Sequence, residues 1–187
     1  MRRDRDLVGA PKGDAAVRIG IIGVGRAGAV HLQACGSVPG LEVLAICDPA
    51  PAARRAAGAS GVKTYSDLTD MLETERLDAV SICTPPAEHA PLGVRCLKRG
   101  LHLLCEKPLA LTTSGAEEMF ATARRQGRLL LVASKFRHVG EIMYARELIR
   151  SGELGRPASF ELSFCSAVDM SRRWNARAAQ AGGGVII

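Results

Sequence analysis

The feature that most constrains the fold is a glycine-rich turn between an apolar run and a helical run. Gly23, Gly25 and Gly28 are spaced G-x-G-x-x-G, and they follow the β-branched run at residues 18–22. A run with helical character, residues 27–35, comes next. This order predicts a buried strand, a tight turn and a helix that packs closely on the strand.

A second apolar run, residues 41–47, ends at Asp48, twenty positions after Gly28. This spacing is typical of a dinucleotide-binding βαβ unit, in which the acidic residue accepts hydrogen bonds from ribose hydroxyls. Around Arg26 and Ala27, N–H groups at the helix start and the helix dipole favour the charge of a pyrophosphate. The alternative, a glycine-rich turn that binds nothing, is disfavoured by the complete strand–helix–strand context.

The residues after Asp48 favour NAD over NADP as the cofactor. A 2′-phosphate at this position would meet the carboxylate, and Pro49 follows with no adjacent Lys or Arg. Arg54 and Arg55 lie several residues further along and would weaken this preference.

Four further apolar runs alternate with helical segments. The predicted strands are residues 62–65, 78–83, 102–105 and 129–133, and the predicted helices are a short one ending near residue 58, one capped by Ser66, one at 87–98 and one at 113–126. Each strand run is continuously apolar, which indicates a parallel sheet covered on both faces. We therefore predict an α/β fold with a doubly wound parallel sheet in the order 3-2-1-4-5-6.

Two more turns are predicted on the edge of the sheet that carries the glycines. They consist of Thr84, Pro85 and Pro86 after the fourth strand, and of Glu106, Lys107 and Pro108 after the fifth. Ligands of doubly wound sheets bind beyond the carboxyl ends of the strands. These turns are therefore expected to line the same site.

Composition and charge argue against several other functions. The net charge of +6 suits an anionic ligand such as a dinucleotide, and 4% aromatic residues are too few for base-stacking platforms. No apolar run is long enough to span a bilayer, and residues 1–16 lack the apolar core of a secretory signal. We expect a loose N-terminal tail and neither nucleic acid nor a membrane as a partner.

The cysteines and histidines indicate no metal site. The six cysteines form no C-x-x-C pair, and none of the four histidines has metal-ligand spacing with a cysteine or another histidine. This usage is typical of reduced, buried cysteines, so we expect a cytoplasmic protein.

The pattern changes after residue 134. An amphipathic helix is predicted at residues 141–151, a strand at 158–167, and the start of another strand after the glycines at 182–184. We therefore assign residues 1–16 to a disordered tail, 17–137 to the nucleotide-binding domain and 138–187 to the incomplete start of a second, truncated α/β domain.

Taken together, the turns resemble those of the Gfo/Idh/MocA oxidoreductases, relatives of glucose–fructose oxidoreductase and inositol dehydrogenase. They read GVGRAG, CDP, CTPPAEHAP and CEKPLA, and the resemblance continues through SKFR and SGELGRPASFELSF into GGG. It implies a Rossmann domain joined to a larger α/β domain with an open, mainly antiparallel sheet. It also implies hydride transfer between NAD(P) and a sugar, cyclitol or related polyol.

The resemblance implies a catalytic role for Lys107, which matches the family lysine that contacts both cofactor and substrate. An ammonium near the nicotinamide can hold a substrate hydroxyl and ease the loss of its proton. The alternative is a surface lysine paired with Glu106. Pro108 resembles the family proline that often follows a cis peptide bond.

Other positions carry weaker implications. Thr84, Pro85 and Pro86 match a turn beside the nicotinamide ribose, with an ordinary strand-ending turn as the alternative. His89 is a cofactor-side candidate, although a helix-face residue is the favoured interpretation. Arg137, Arg172 and Trp174 are candidate substrate-side residues, with an ion pair or interdomain packing as alternatives.

The sequence also departs from the family pattern. In the family, the glycine segment leads to a motif ending G-x-H-x-x-D, which supplies the usual acid–base histidine. Here no His follows His138 and no Asp follows Asp169. We expect cofactor binding without competent catalysis, in a fragment or a shortened protein. The alternative is a non-catalytic or regulatory cofactor-binding protein, or one chain of a split enzyme, that associates with a second copy or a complementing chain.

Overall fold

A six-stranded parallel sheet dominates the computed structural model, which describes residues 16–59, 61–161, 163, 165 and 177. The strands are β1 (Val17–Ile22), β2 (Leu41–Cys47), β3 (Lys63–Tyr65), β4 (Ala79–Ile82), β5 (His102–Cys105) and β6 (Leu130–Val132). Their spatial order is β3-β2-β1-β4-β5-β6. The predicted doubly wound α/β fold is therefore confirmed.

A helix follows each of the six strands. These helices are α1 (Arg26–Gly36), α2 (Pro51–Gly58), α3 (Leu68–Thr74), α4 (His89–Lys98), α5 (Thr113–Gln126) and α6 (Gly140–Ser151), with short 3-10 turns at Pro86–Glu88 and Lys135–His138. No helix among the described residues is both long and apolar enough to cross a membrane.

The core lies on both faces of the sheet. On one face, Met71 of α3, Leu97 of α4 and Met119 of α5 are fully buried against the strands. On the other face, Ile21 of β1 and Ile46 of β2 are fully buried beneath α1 and α2. Each such side chain contributes about 1.5–3 kcal/mol of burial free energy, which explains the continuously apolar strands.

The carboxyl ends of the central strands are aligned by backbone hydrogen bonds. Gly23 N–H donates to the Cys47 carbonyl and Cys83 N–H donates to the Ile22 carbonyl, each at 2.7 Å. Glu106 N–H donates to the Ile82 carbonyl at 2.9 Å. This alignment brings the turns after β1, β2, β4 and β5 to one edge.

Two predicted helix starts were wrong by one or two residues. Asp67, not Ser66, caps α3, because its carboxylate accepts a hydrogen bond from Thr69 N–H at 2.6 Å. The predicted helix at 87–98 begins as a 3-10 turn, in which Glu88 N–H donates to the Pro85 carbonyl at 2.9 Å, and α4 starts only at His89.

The predicted strand at residues 158–167 is not formed at 158–161, 163 and 165, and its other positions lie outside the described residues. An isolated strand has no ladder to satisfy its backbone groups, and the six strands of the sheet do not pair with this segment. The strand predicted after residue 184 also lies outside the described residues. The assigned domain limits stay predictions.

Candidate functional site

The glycine turn, residues 23–28, combines tight packing with one open position. A Cβ on Gly28 would lie 2.0 Å from the Gly23 carbonyl oxygen, and Gly23 has a positive φ of 83°. By contrast, a Cβ on Gly25 would meet no atom within 4 Å. Gly23 and Gly28 therefore bring α1 close to β1, while Gly25 leaves space for a ligand.

Helix α1 begins at this turn with unsatisfied backbone donors. Gly25 is the N-cap and makes no side-chain capping hydrogen bond, and the first turn contains no acidic residue. Arg26 is exposed and Ala27 is half-buried. N–H groups at an uncapped helix start, together with the helix dipole, favour an anionic ligand.

Asp48 ties the end of β2 to the glycine turn. Its carboxylate accepts hydrogen bonds from Val24 N–H at 2.9 Å and from Ala50 N–H at 2.8 Å. The Arg54 guanidinium folds back and donates to the Asp48 and Pro49 carbonyls at 2.6 and 2.9 Å. No cation adjoins Asp48 in sequence, but the structure brings Arg54 to its main chain.

The proline turn, residues 84–86, carries a buried hydroxyl. The Thr84 Oγ1 atom is buried and makes no hydrogen bond to any described residue. The Thr84 main-chain carbonyl oxygen lies 2.8 Å from His89 Nε2. Buried side-chain hydroxyls nearly always have partners, so an unpaired one at this edge of the sheet fits a ligand-lined site.

The lysine turn, residues 106–108, follows β5. Lys107 N–H donates to Glu106 Oε2 at 3.0 Å, and the peptide bond between Lys107 and Pro108 is cis, as the resemblance implies. The Lys107 side chain is exposed, and no described carboxylate lies within ion-pair distance of its ammonium. Lys107 and Glu106 therefore do not form the ion pair that was the alternative.

Glu106 instead pairs with His31, a residue that the sequence analysis did not select. His31 Nε2 lies 3.2 Å from Glu106 Oε1, and His31 Nδ1 lies 2.8 Å from Ser81 Oγ. Hydrogen bonding to the Cys83 side chain and, to a smaller extent, to Glu106 raises the pKa of His31 to about 10. Hydrogen bonding by His31 lowers the pKa of Glu106. The pair is thus an imidazolium and a carboxylate at neutral pH.

His89 joins the proline turn to the lysine turn. Its Nε2 lies 2.8 Å from the Thr84 carbonyl oxygen and its Nδ1 lies 2.7 Å from the Pro108 carbonyl oxygen, both within hydrogen-bond distance. The side chain is 1% exposed. This burial leaves no surface for direct contact with a cofactor, so His89 can act in the site only through these turns.

The remaining candidate residues take no part in the described contacts of the site or lie outside the described residues. Arg137 is exposed in the 3-10 turn at Lys135–His138, and Arg172 and Trp174 lie outside the described residues.

No group of three or more metal-ligating side chains exists among the described residues. Burial raises the pKa of Cys47 to about 11 and of Cys96 and Cys105 to about 12, which keeps these thiols protonated.

Comparison with known families agrees with this geometry. Residues 17–134 match the Gfo/Idh/MocA model, described as an oxidoreductase family with an NAD-binding Rossmann fold. The chain belongs to this family of oxidoreductases.

The curated relatives include dehydrogenases of sugars and cyclitols. The chain is 34% identical to the rhizopine catabolism protein MocA of Rhizobium meliloti, with 90% of this chain and 52% of the relative covered. It is 36% identical to D-apiose dehydrogenase of Paraburkholderia graminis, covering 80% and 40%. It is 33% identical to inositol 2-dehydrogenase of Rubrobacter xylanophilus, covering 80% and 44%. The chain thus spans about half the length, or less, of these relatives.

Solved structures are similar over the same region. The WlbA dehydrogenase of Bordetella pertussis, in complex with NADH and UDP-GlcNAcA, has a TM-score of 0.72 and 29% identity over 75% of this chain and 44% of its own. The scyllo-inositol dehydrogenase of Lactobacillus casei, with bound NAD(H) and scyllo-inositol, has a TM-score of 0.71 and 26% identity, covering 75% and 42%.

Proposed function

We propose that residues 17–137 form the nucleotide-binding domain of an NAD-dependent oxidoreductase. The reaction is hydride transfer between NAD and a hydroxyl-bearing carbon of a sugar, cyclitol or related polyol. The observation that carries this proposal is that an exposed lysine, which pairs with no carboxylate among the described residues, lies on the same sheet edge as an open glycine turn. The names of the relatives support the substrate class.

The residues of the edge fit the parts of NAD. The open space at Gly25 and the free donors at the start of α1 suit the pyrophosphate, and the Asp48 carboxylate suits the adenosine ribose. The proline turn, with its unpaired Thr84 hydroxyl, suits the nicotinamide ribose. When bound, NAD would supply the nicotinamide that accepts or donates the hydride.

Lys107 is the residue to which we assign the chemistry. Its ammonium holds the substrate hydroxyl and lowers the cost of removing the hydroxyl proton as a carbonyl forms. Because no described carboxylate forms an ion pair with the ammonium, its charge is available to the developing alkoxide.

The preferred cofactor in this proposal is NAD rather than NADP. The Asp48 carboxylate repels a 2′-phosphate, whereas the Arg54 guanidinium, which contacts the Asp48 carbonyl, attenuates that repulsion without reversing it. A ribose hydroxyl, in contrast, can donate directly to the carboxylate.

A polypeptide of these 187 residues is proposed to bind NAD without turning over substrate, because it spans about half the length, or less, of the relatives named as dehydrogenases. Calorimetric titration with NAD and an assay of NADH formation across inositols and hexoses test both parts. We expect saturable binding and no turnover. Absence of NAD binding would refute the proposal, and robust turnover would place the acid–base group among residues assigned here to structure.

A non-catalytic role, or activity only with a second copy or a complementing chain, is the alternative to this assignment. Size-exclusion chromatography with light scattering measures self-association. Recovery of turnover on mixing with the second half of a relative would favour a split enzyme.

A further inference from the structure

His31 connects three parts of the molecule at the edge of the sheet. It lies on α1, its Nδ1 is 2.8 Å from Ser81 Oγ on β4, and its Nε2 is 3.2 Å from Glu106 Oε1 after β5. The His31 and Glu106 side chains are 13% and 21% exposed. The pair is therefore shielded from solvent, where charge-assisted hydrogen bonds are stronger than at the surface.

Glu106 transmits this contact to Lys107. One carboxylate oxygen faces His31, and the other accepts a hydrogen bond from Lys107 N–H at 3.0 Å. On the far side of Lys107, the Pro108 carbonyl lies 2.7 Å from His89 Nδ1. The backbone of the exposed lysine is thus anchored on both sides by buried or half-buried histidines.

The cluster has the residue types of a hydrolytic triad, but it cannot act as one. Ser81 is 0% exposed, so its hydroxyl cannot reach a substrate carbonyl. Ser81 Oγ also lies 3.6 Å from Cys83 Sγ within the core. The consequence of the arrangement is that Ser81 orients the His31 ring and His31 orients the Glu106 carboxylate.

We propose that His31 is a positioning residue that holds Lys107 in place through Glu106. This inference rests on the proposed function, which gives Lys107 its role at the nicotinamide end of the site. Without the imidazole, the Glu106 carboxylate is free to turn towards solvent. The Lys107 amide then loses its acceptor, while the glycine turn, which is held by its own backbone, is unchanged.

Amide hydrogen exchange in the full chain without cofactor tests the link directly. His31→Phe retains a ring and removes both polar contacts, so the Lys107 amide should exchange about tenfold faster while the amides of Ile21 and Ile46 keep their protection. His31→Gln, which can still donate to Glu106, should restore most of the protection. His138→Phe, at an exposed histidine, is the matched control and should change nothing.

Cofactor binding gives a second measurement with the same variants. ADP-ribose lacks the nicotinamide, so His31→Phe should weaken NAD about threefold to tenfold and leave the affinity for ADP-ribose unchanged. If the unmutated chain binds neither ligand, the proposed function fails, and amide exchange still decides the positioning role.

Unchanged exchange at Lys107, or equally faster exchange at Lys107, Ile21 and Ile46, would overturn the inference, and so would equal losses of NAD and ADP-ribose affinity. If His31→Phe does not fold, Glu106→Gln decides the question. The glutamine amide has a single acceptor oxygen, whereas the two Glu106 carboxylate oxygens contact His31 and Lys107 N–H separately. Faster exchange at Lys107 would then support the inference, and unchanged exchange would refute it.

Discussion

The glycine turn and the lysine turn lie on one edge of the sheet, but different parts of the chain hold them in place. The glycine turn depends on close backbone contacts, such as the 2.0 Å that would separate a Gly28 Cβ from the Gly23 carbonyl oxygen. The lysine turn depends on side chains that come from other elements, His31 of α1 and His89 of α4. Cofactor binding and cofactor orientation should therefore respond to different substitutions.

The largest effect is expected from Lys107→Ala in a form completed with the second half of a relative. Turnover should fall by a factor of about 10² to 10⁴, the usual contribution of acid–base and electrostatic catalysis. Affinity for NAD should fall only about threefold to tenfold, as for His31→Phe, because the glycine turn is untouched. Steady-state kinetics and calorimetry measure the two quantities. A loss of turnover below about threefold would reduce Lys107 to a structural residue.

Gly28→Ala should have the opposite pattern. The new Cβ meets a backbone oxygen that cannot move aside, so α1 shifts from the turn and NAD affinity falls by about a hundredfold. Gly36→Ala on the same helix is the matched control, because a Cβ there meets no atom within 4 Å. Calorimetry with NAD separates the variants. Equal affinities for NAD in the two would show that the backbone contact is dispensable.

The same contrast explains what the sequence could predict. The glycine turn, Asp48 and the strand order follow from local patterns, since glycine spacing and apolar runs report on neighbouring residues. The partnership of His31 with Glu106 spans 75 positions, and no local pattern announces it. A signal did exist, because His31 follows Gly28 by three residues and so shares the helix face that packs on the sheet.

The segment at residues 158–161 also shows that local sequence patterns do not report on distant partners. Its apolar residues favour a strand, but a strand forms only where a partner supplies the ladder. The α3 cap shows a smaller error of the same kind, since Ser66 and Asp67 are both good caps and only geometry selects Asp67.

A smaller effect concerns the pH dependence of stability. The pKa of His31 is raised from 6.5 to about 10, so its contribution to folding is complete below 6.5 and is lost as the pH rises towards 10. The pKa of Glu106 is lowered from 4.5, so its contribution is present above 4.5 and is lost on acidification. The His31–Glu106 pair therefore stabilises the fold most between about pH 4.5 and pH 6.5.

Urea denaturation of the unmutated chain and of His31→Phe measures this contribution. The difference in free energy of unfolding should be about 2 kcal/mol near neutral pH and should shrink near pH 10, leaving a pH-independent packing difference. His138→Phe should show no such trend. A difference that stays constant across this range would mean that no ion pair holds the lysine turn.

The smallest effect is expected at Asp48, whose carboxylate accepts a hydrogen bond from Val24 N–H and is the proposed partner of the adenosine ribose. Asp48→Asn retains an acceptor for Val24 N–H and removes the charge, so the preference for NAD over NADP should fall about fivefold. Glu42→Gln, at an exposed carboxylate in β2, is the control. Parallel titrations with NAD and NADP measure the ratio, and tighter NADP binding by the unmutated chain would contradict the assignment. In that case the Arg54 guanidinium, held against the Asp48 and Pro49 carbonyls, would outweigh the carboxylate at the ribose.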